Sequence, residues 1–388
     1  MREVYLPPSV IGIIGGGQLG MMTIREAQRM GYRSVVWDPD PECPASRLAD
    51  RTITAPFDDR SACAEFAREA DFITYEFEHI DTGIVRMLEE SKRVRPGSAI
   101  LDIAQHRTRE KEALRSNGFP IAPFEVVRRP EDLVAAAGRL GYPMVLKTAG
   151  AGYDGKGQTV LGSRSALESV RFLPGEPERI VEKFLKLNAE ISVICIRDDQ
   201  GNDFDFPIAR NTHRDNILHS SIVPSGMSEA IERKARKLAN TILDTFHVVG
   251  ILCVEMFVVG TRVLVNELAP RPHNSGHYTL DGCDLSQFEA HVRVAAGLPM
   301  RPPALLGPCA IVNLLGKHLR HLDVQAIQKI PGTKLHIYGK KRLEERRKMG
   351  HISVVGRTKV DVAKVVREIE RMIGEGGVGE DDGRTKRK

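Results

Sequence analysis

Aromatic residues are scarce in this chain: one tryptophan, seven tyrosines and thirteen phenylalanines among 388 residues. With no rings interleaved among lysines and arginines, a stacking surface for nucleic acid is not indicated. No stretch approaches the roughly 18 consecutive apolar residues of a membrane-crossing helix. The first residues also lack the charge-then-apolar order of a secretory leader. Neither nucleic acid nor membrane is therefore expected as a partner. The six cysteines, at 43, 63, 195, 253, 283 and 309, are scattered, and no two have metal-ligand spacing. Four lie in mostly apolar surroundings, which reads as reduced thiols in the core of a cytoplasmic protein. No glycine loop ends in G-K-[ST], so a Walker-type nucleotidase is unsupported.

What is present reads as a soluble globular chain, 41% hydrophobic and 28% charged, with 56 basic against 51 acidic residues. The mild basic excess suits small ligands that carry phosphate. At this length two or three domains are expected. Over the first hundred residues strands ("VIGIIG", "RSVVWD", "DFITYEF") alternate with helices ("QLGMMTIREAQRMG", "DDRSACAEFAREA"). That alternation predicts an α/β doubly wound parallel sheet, with ligands at the carboxyl ends of its strands. Near residue 107 the pattern changes to α+β. A charged helix, "HRTREKEALRSNG", precedes a series of strands, "YPMVLKTA", "RIVEKFL", "AEISVICI", "DFDFPIA" and "NILHSSIV". An amphipathic helix over 229–246 and two strands joined by "GT" complete a largely antiparallel sheet. The expected division is a Rossmann-like domain over 1–106, a second domain over 107–301, a small third over 302–375 and a disordered tail over 376–388.

Five motifs carry chemistry. In "IGIIGGGQLG", Gly15, Gly17 and Gly20 match the G-x-G-x-x-G spacing of a dinucleotide loop. Asp38 follows where such an enzyme would hold a ribose, so an NAD-dependent dehydrogenase is one alternative. In "KTAGAGYDGKGQ", Lys147 at a strand end is followed by a second glycine loop suited to phosphate. Glu255 and Glu267 lie on adjacent strands with a short connection, so their side chains should sit together. Two carboxylates in apolar strands repel unless a cation lies between them, and beside a phosphate loop that cation is Mg²⁺. Arg271, His273, Asn274 and His277 crowd the loop that follows, where Arg271 offers a planar fork for a carboxylate or carbonate-like anion. Finally "YGKKRLEERRKMGH" concentrates seven basic side chains. It is either a solvated loop or a clamp for a phosphate monoester.

"GGGQLGMM", "TYEFEHI", "GYDGKGQ", "NELAPRPHNSGH" and "YGK…RKMGH", in this order over about residues 10 to 355, resemble the ATP-grasp superfamily. Within it they are most similar to the N5-carboxyaminoimidazole ribonucleotide synthetase family of purine biosynthesis. The resemblance implies an ATP-grasp fold with an N-terminal doubly wound domain and a small C-terminal domain that completes the site. It also implies a carbon–nitrogen ligase that takes ATP, bicarbonate and aminoimidazole ribonucleotide to ADP, phosphate and the N-carboxylated nucleotide through carboxyphosphate. The implied ATP contacts are Arg107, Lys147, Gly152, Tyr153, Asp154, Gly155, Lys156, Gly157 and Gln158. The hinge Glu182, Lys183, Phe184 and Leu185, then Glu190, His213, Asn266 and Glu267, complete them. Glu255 and Glu267 match the Mg²⁺ ligands. Arg271 and His273 match residues near carboxyphosphate, and Tyr153 with Asp154 match residues at the nucleotide amine. Gln18, Glu76, Asn274, Lys340 and Arg347 would meet the ribonucleotide. Relatives of this kind are typically dimers through the first domain. Many superfamily members carry Asn two residues after the second metal glutamate, where this chain has Ala269. A formate-dependent glycinamide ribonucleotide transformylase is the nearest alternative within the superfamily, and a regulatory nucleotide-binding module is the non-enzymatic one.

Overall fold

The computed structural model describes residues 3–150, 157–172 and 178–374. The tail over 376–388 and the central part of the second glycine loop lie outside them. Five strands form the first sheet: β1 (Val10–Ile14), β2 (Arg33–Trp37), β3 (Arg51–Ile53), β4 (Phe72–Tyr75) and β5 (Arg93–Val94). Their order is β3-β2-β1-β4-β5, parallel throughout. Ile11, Ile13 and Ile14 of β1 are fully buried, as expected of a central strand covered on both faces. Gly31 closes the Gln18–Arg29 helix with φ +91°, a conformation that costs glycine nothing. The connections out of β1 and β4 leave on opposite sides of the sheet order. The glycine loop and the segment after Tyr75 therefore meet at its carboxyl edge.

A second, antiparallel sheet holds β6 (Phe124–Val127), β7 (Met144–Thr148), β8 (Gln158–Leu161) and β9 (Arg179–Lys183), in the order β6-β9-β7-β8. Leu133, Ala136 and Leu140, one face of the Pro130–Leu140 helix, pack with Leu146, Leu161 and Val181 beneath it.

The third sheet is the largest. It comprises β10 (Ala189–Arg197), β11 (Asp203–Asp205), β12 (Ala209–Arg214), β13 (Ile217–Val223), β14 (Gly250–Val259), β15 (Arg262–Ala269), β16 (Cys309–Leu315), β17 (Thr333–Ile337) and β18 (Lys348–Val355). Its order is β15-β14-β10-β12-β13-β16-β18-β17, with β11 added on β10. Ile231, Ala235, Ala239, Ile242 and Leu243 of the Glu229–Thr245 helix are buried in the core it shares with β10, β14 and β15, as the helical spacing predicts. Two features go beyond the sequence reading. "ARNTHR" forms β12 although it is polar, because only Ala209 and Asn211 turn inward. The last strands also do not make a sheet of their own. β16 pairs with β13, Ser220 opposite Val312 and Val223 opposite Cys309, so β16 to β18 continue the central sheet. All six cysteines are buried and unbonded. No helix among the described residues is long and apolar enough to cross a membrane.

Candidate active site

The first glycine loop is already filled by the protein's own carboxylates. Gly16 N–H donates to Asp38 at 2.7 Å, Gly17 N–H to Glu76 Oε1 at 2.5 Å and Gly20 N–H to Glu76 Oε2 at 2.7 Å. These are the donors that a dinucleotide fingerprint turns toward pyrophosphate. With Asp38 and Glu76 in place they would repel a phosphate, so the dehydrogenase alternative loses its anion site. Burial raises the Glu76 carboxyl against the pull of the two N–H groups. Gln18 meets Lys340, 322 positions away, whose Nζ donates to Gln18 Oε1 at 2.6 Å and to the Lys348 carbonyl at 2.9 Å. The first and last segments of the described chain thus meet at one corner, which holds Gln18, Glu76 and Lys340. Arg347 stands apart. It pairs with Glu344 at 3.9 Å and has no hydrogen bond or ion pair to Gln18 or Lys340.

Glu255 and Glu267 are direct partners across β14 and β15. As directly opposed residues they share one face of the sheet, and the register then skips Asn266, because Met256 pairs with Val265. Burial, and then Glu267, push the Glu255 carboxyl up against the opposing pull of His213. Asn266 Oδ1 is buried with no hydrogen-bond partner among the described residues. Two crowded carboxylates and an idle amide oxygen fit a hard dication such as Mg²⁺. Ala269, 4% exposed, adds no oxygen.

His273 lies beside this pair, its Nε2 3.6 Å from Glu255 Oε1. Nδ1 is 2.8 Å from Ser275 Oγ, which in turn accepts from Ser192 Oγ at 2.8 Å. Burial, then the charges of Arg271 and Lys348, hold His273 well below the ordinary histidine range, so the ring is neutral. Arg271 is gripped by Glu78 from the first domain, Nε and Nη2 each donating to one carboxylate oxygen. Asn274 is buried, and both ends of its amide are taken by Asn313 of β16, at 3.0 and 2.7 Å. The group expected to meet substrate instead anchors its own loop.

Facing the acidic pair is a cationic cluster built from the second sheet and the Arg107–Ser116 helix. Lys147 of β7 donates to Glu182 of β9 at 2.7 Å. Lys111, fully buried, lies 3.4 Å from the other Glu182 oxygen and donates to the Asn266 carbonyl at 2.8 Å. Burial alone would raise Glu182, yet the two lysines hold it down at about 2. Burial, with Lys111 and Arg107 nearby, lowers Lys147. Arg107 spans the sheets, 3.7 Å from Glu267 and donating to the Thr148 carbonyl at 3.4 Å. Glu190 and His213, on neighbouring strands, form an ion pair at 2.8 Å. Gly157 accepts from Thr148 N–H at 3.1 Å, and Gln158 sits opposite Lys147 in the β7–β8 register. In the hinge, Lys183 and Phe184 are exposed and Leu185 is half-buried. Gly152, Tyr153, Asp154, Gly155 and Lys156 lie outside the described residues.

Three contributors escape sequence reasoning: Lys111, Glu78 and Gln287. Gln287, 0% exposed, accepts from His273 N–H at 2.9 Å and donates to the His273 carbonyl at 2.8 Å, holding the loop as a neighbouring strand would. Glu78 stands inside the quoted "TYEFEHI", so that motif was the available signal for it.

Two sheets facing each other across a lysine cluster and a carboxylate pair, behind a parallel-sheet domain, define an ATP-grasp protein. The ATP-grasp domain model matches residues 112–288, a ribonucleotide synthetase preATP-grasp domain matches 9–105 and a phosphoribosylaminoimidazole carboxylase C-terminal domain matches 309–365. The N5-carboxyaminoimidazole ribonucleotide synthase of Bacillus subtilis is 43% identical over 353 residues, 91% of this chain and 93% of that protein. The Staphylococcus aureus N5-carboxyaminoimidazole synthetase, solved in complex with ADP, superposes with TM-score 0.89 at 36% identity, over 96% of this chain and 98% of that one. The Aspergillus clavatus synthase, in complex with ADP and 5-aminoimidazole ribonucleotide, does so with TM-score 0.86 at 29% identity, over 95% and 99%. The chain belongs to the N5-carboxyaminoimidazole ribonucleotide synthase family.

Proposed function

We propose that the protein is an ATP-dependent carbon–nitrogen ligase. It carboxylates 5-aminoimidazole ribonucleotide with bicarbonate, through carboxyphosphate, giving N5-carboxyaminoimidazole ribonucleotide, ADP and phosphate. The observation that carries this reading is the Glu255–Glu267 pair, with His273 beside it, Lys147 on the facing sheet and Arg107 between the two. ATP takes the cleft between the sheets. Lys147, Arg107, the loop from Gly152 to Gln158, the hinge Glu182 to Leu185, Glu190, His213 and Asn266 contact it. Glu255 and Glu267 would hold Mg²⁺, which when bound offsets charge on the transferring phosphoryl group. A bicarbonate oxygen attacks the γ-phosphorus and ADP leaves. The nucleotide amine then attacks the carboxyl carbon, phosphate leaves and the amine gives up a proton. Arg271 orients the acid, neutral His273 borders it, and Tyr153 with Asp154 attends the amine. Gln18, Glu76 and Lys340 receive the ribonucleotide, with Arg347 turning in toward its phosphate and Asn274 supporting the loop behind. Carboxyphosphate hydrolyses readily, so water must be kept out of the cleft.

The working division is 1–106, 107–301 and 302–375, in a cytoplasmic homodimer that pairs through the first domain. The deciding experiment measures ADP release from ATP, Mg²⁺ and bicarbonate with and without 5-aminoimidazole ribonucleotide. Strong stimulation by the ribonucleotide is expected. Stimulation only by glycinamide ribonucleotide plus formate would move the activity to the transformylase, and silence with both would overturn the ligase reading.

A further inference from the structure

Arginine offers five N–H donors in one plane, and three of those on Arg271 are committed. Nε and Nη2 donate to the two oxygens of Glu78, the latter at 3.0 Å, and Nη1 donates to the Pro272 carbonyl at 3.2 Å. What remains is one N–H on Nη2, on the outer edge of the guanidinium, and one on Nη1. No hydrogen bond among the described residues uses them. Burial opposes the charge of Arg271, but Glu78 outweighs it, while the same contact holds the Glu78 carboxyl down at about 2. Both groups are therefore charged, and together they are neutral. An anion arriving at Arg271 meets two aimed hydrogen bonds rather than a net positive charge.

We propose that Glu78 is a positioning residue that latches Arg271 side-on and so presents its outer edge to a planar carboxylate-type acid. This rests on the reading of Arg271 as the contact to bicarbonate. Glu78 lies 193 positions away on another domain, and with Arg107, Gly150 and Glu267 it lines a cavity of about 20 Å³ beside the acidic pair. The latch therefore exists only while the first domain is seated on the second. Glu76, two residues earlier, holds the glycine loop, so one short segment governs both the nucleotide corner and the acid corner.

Steady-state ADP release, with each substrate varied in turn, tests this in Glu78→Gln, Arg271→Lys and the double variant. Glu78→Gln keeps the size of the side chain and should lower turnover at saturating bicarbonate at least about tenfold, since misaimed reactants lose rate steeply. The KM for ATP should stay within about twofold, while the melting temperature should fall, because the variant leaves a largely buried guanidinium without its carboxylate. In the Arg271→Lys background Glu78→Gln should change nothing further, because the fork it aims is gone. Additive losses in the double variant, or wild-type turnover in Glu78→Gln, overturn the latch. Glu78→Asp keeps the charge but is too short to span the fork. It should also lose turnover, and it decides the matter if the glutamine variant does not fold. If wild-type protein responds to glycinamide ribonucleotide plus formate instead, the ligase reading falls and the same comparison is run with formate, also a planar carboxylate. Silence with both substrate pairs overturns latch and ligase together.

Discussion

Glu182 lies between two buried lysines, Lys147 at 2.7 Å and Lys111 at 3.4 Å. Replacing it by glutamine keeps the volume and removes the one carboxylate that, among the described residues, those two cations share. Its carboxyl is held at about 2 rather than the ordinary 4.5, which corresponds to about 3 kcal/mol of folding stability near neutral pH. Mutational experience with broken buried ion pairs, about 3–5 kcal/mol, gives the same size. The sign follows from the lowered value: the stabilisation is complete above pH 4.5 and is lost as pH falls toward 2. By pH 3 less than half of it should remain. The sole tryptophan, Trp37, sits in the first sheet, so its fluorescence would miss the event. Amide exchange in β7 and β9, with urea unfolding by circular dichroism, reads it directly. A deficit below about 1 kcal/mol in Glu182→Gln at pH 7, within the range of ordinary surface changes, would refute the reasoning. So would a deficit that stays undiminished at pH 3.

Lys147→Ala should abolish ADP release, and normal turnover would remove the second sheet from the nucleotide site. Arg347→Ala should raise the KM for the ribonucleotide about tenfold, the size of one charge-assisted hydrogen bond; an unchanged KM would leave Arg347 as the surface residue its pairing with Glu344 suggests. Gln287→Leu orphans two main-chain groups of His273 at about 1–3 kcal/mol each. Turnover should drop at least about tenfold with little change in the KM for ATP, and wild-type turnover would show that the loop holds itself.

The parts of the site legible in the sequence are those separated by short stretches of chain. Glu255 and Glu267 could be placed together because a tight turn forces their strands into contact, and the β14–β15 register agrees. The parallel sheet was legible because its helices and strands alternate, and every pairing within it is parallel. Glu78 to Arg271 and Gln18 to Lys340 were not, since nothing in local periodicity reports which carboxylate or amide a distant cation will meet. Lys111 was hidden for another reason. In "HRTREKEALRSNG" it reads as one charge among many on a solvated helix, yet it is 0% exposed. The glycine loop is ambiguous in sequence: its spacing also suits a dinucleotide, and only the folded partners of Gly16, Gly17 and Gly20 reveal that the donors are spent.

The continuity of the large sheet has a consequence for how this protein can be divided. A chain ended at residue 301 would leave β13 as a bare rim, its unpaired main-chain groups open to any extended peptide. The natural occupant of that rim is β16, which arrives from the segment that also delivers Lys340. Two separately made pieces, split near residue 302, should therefore recombine by strand complementation. Recovery of activity on mixing would depend on concentration, as in a two-component split enzyme.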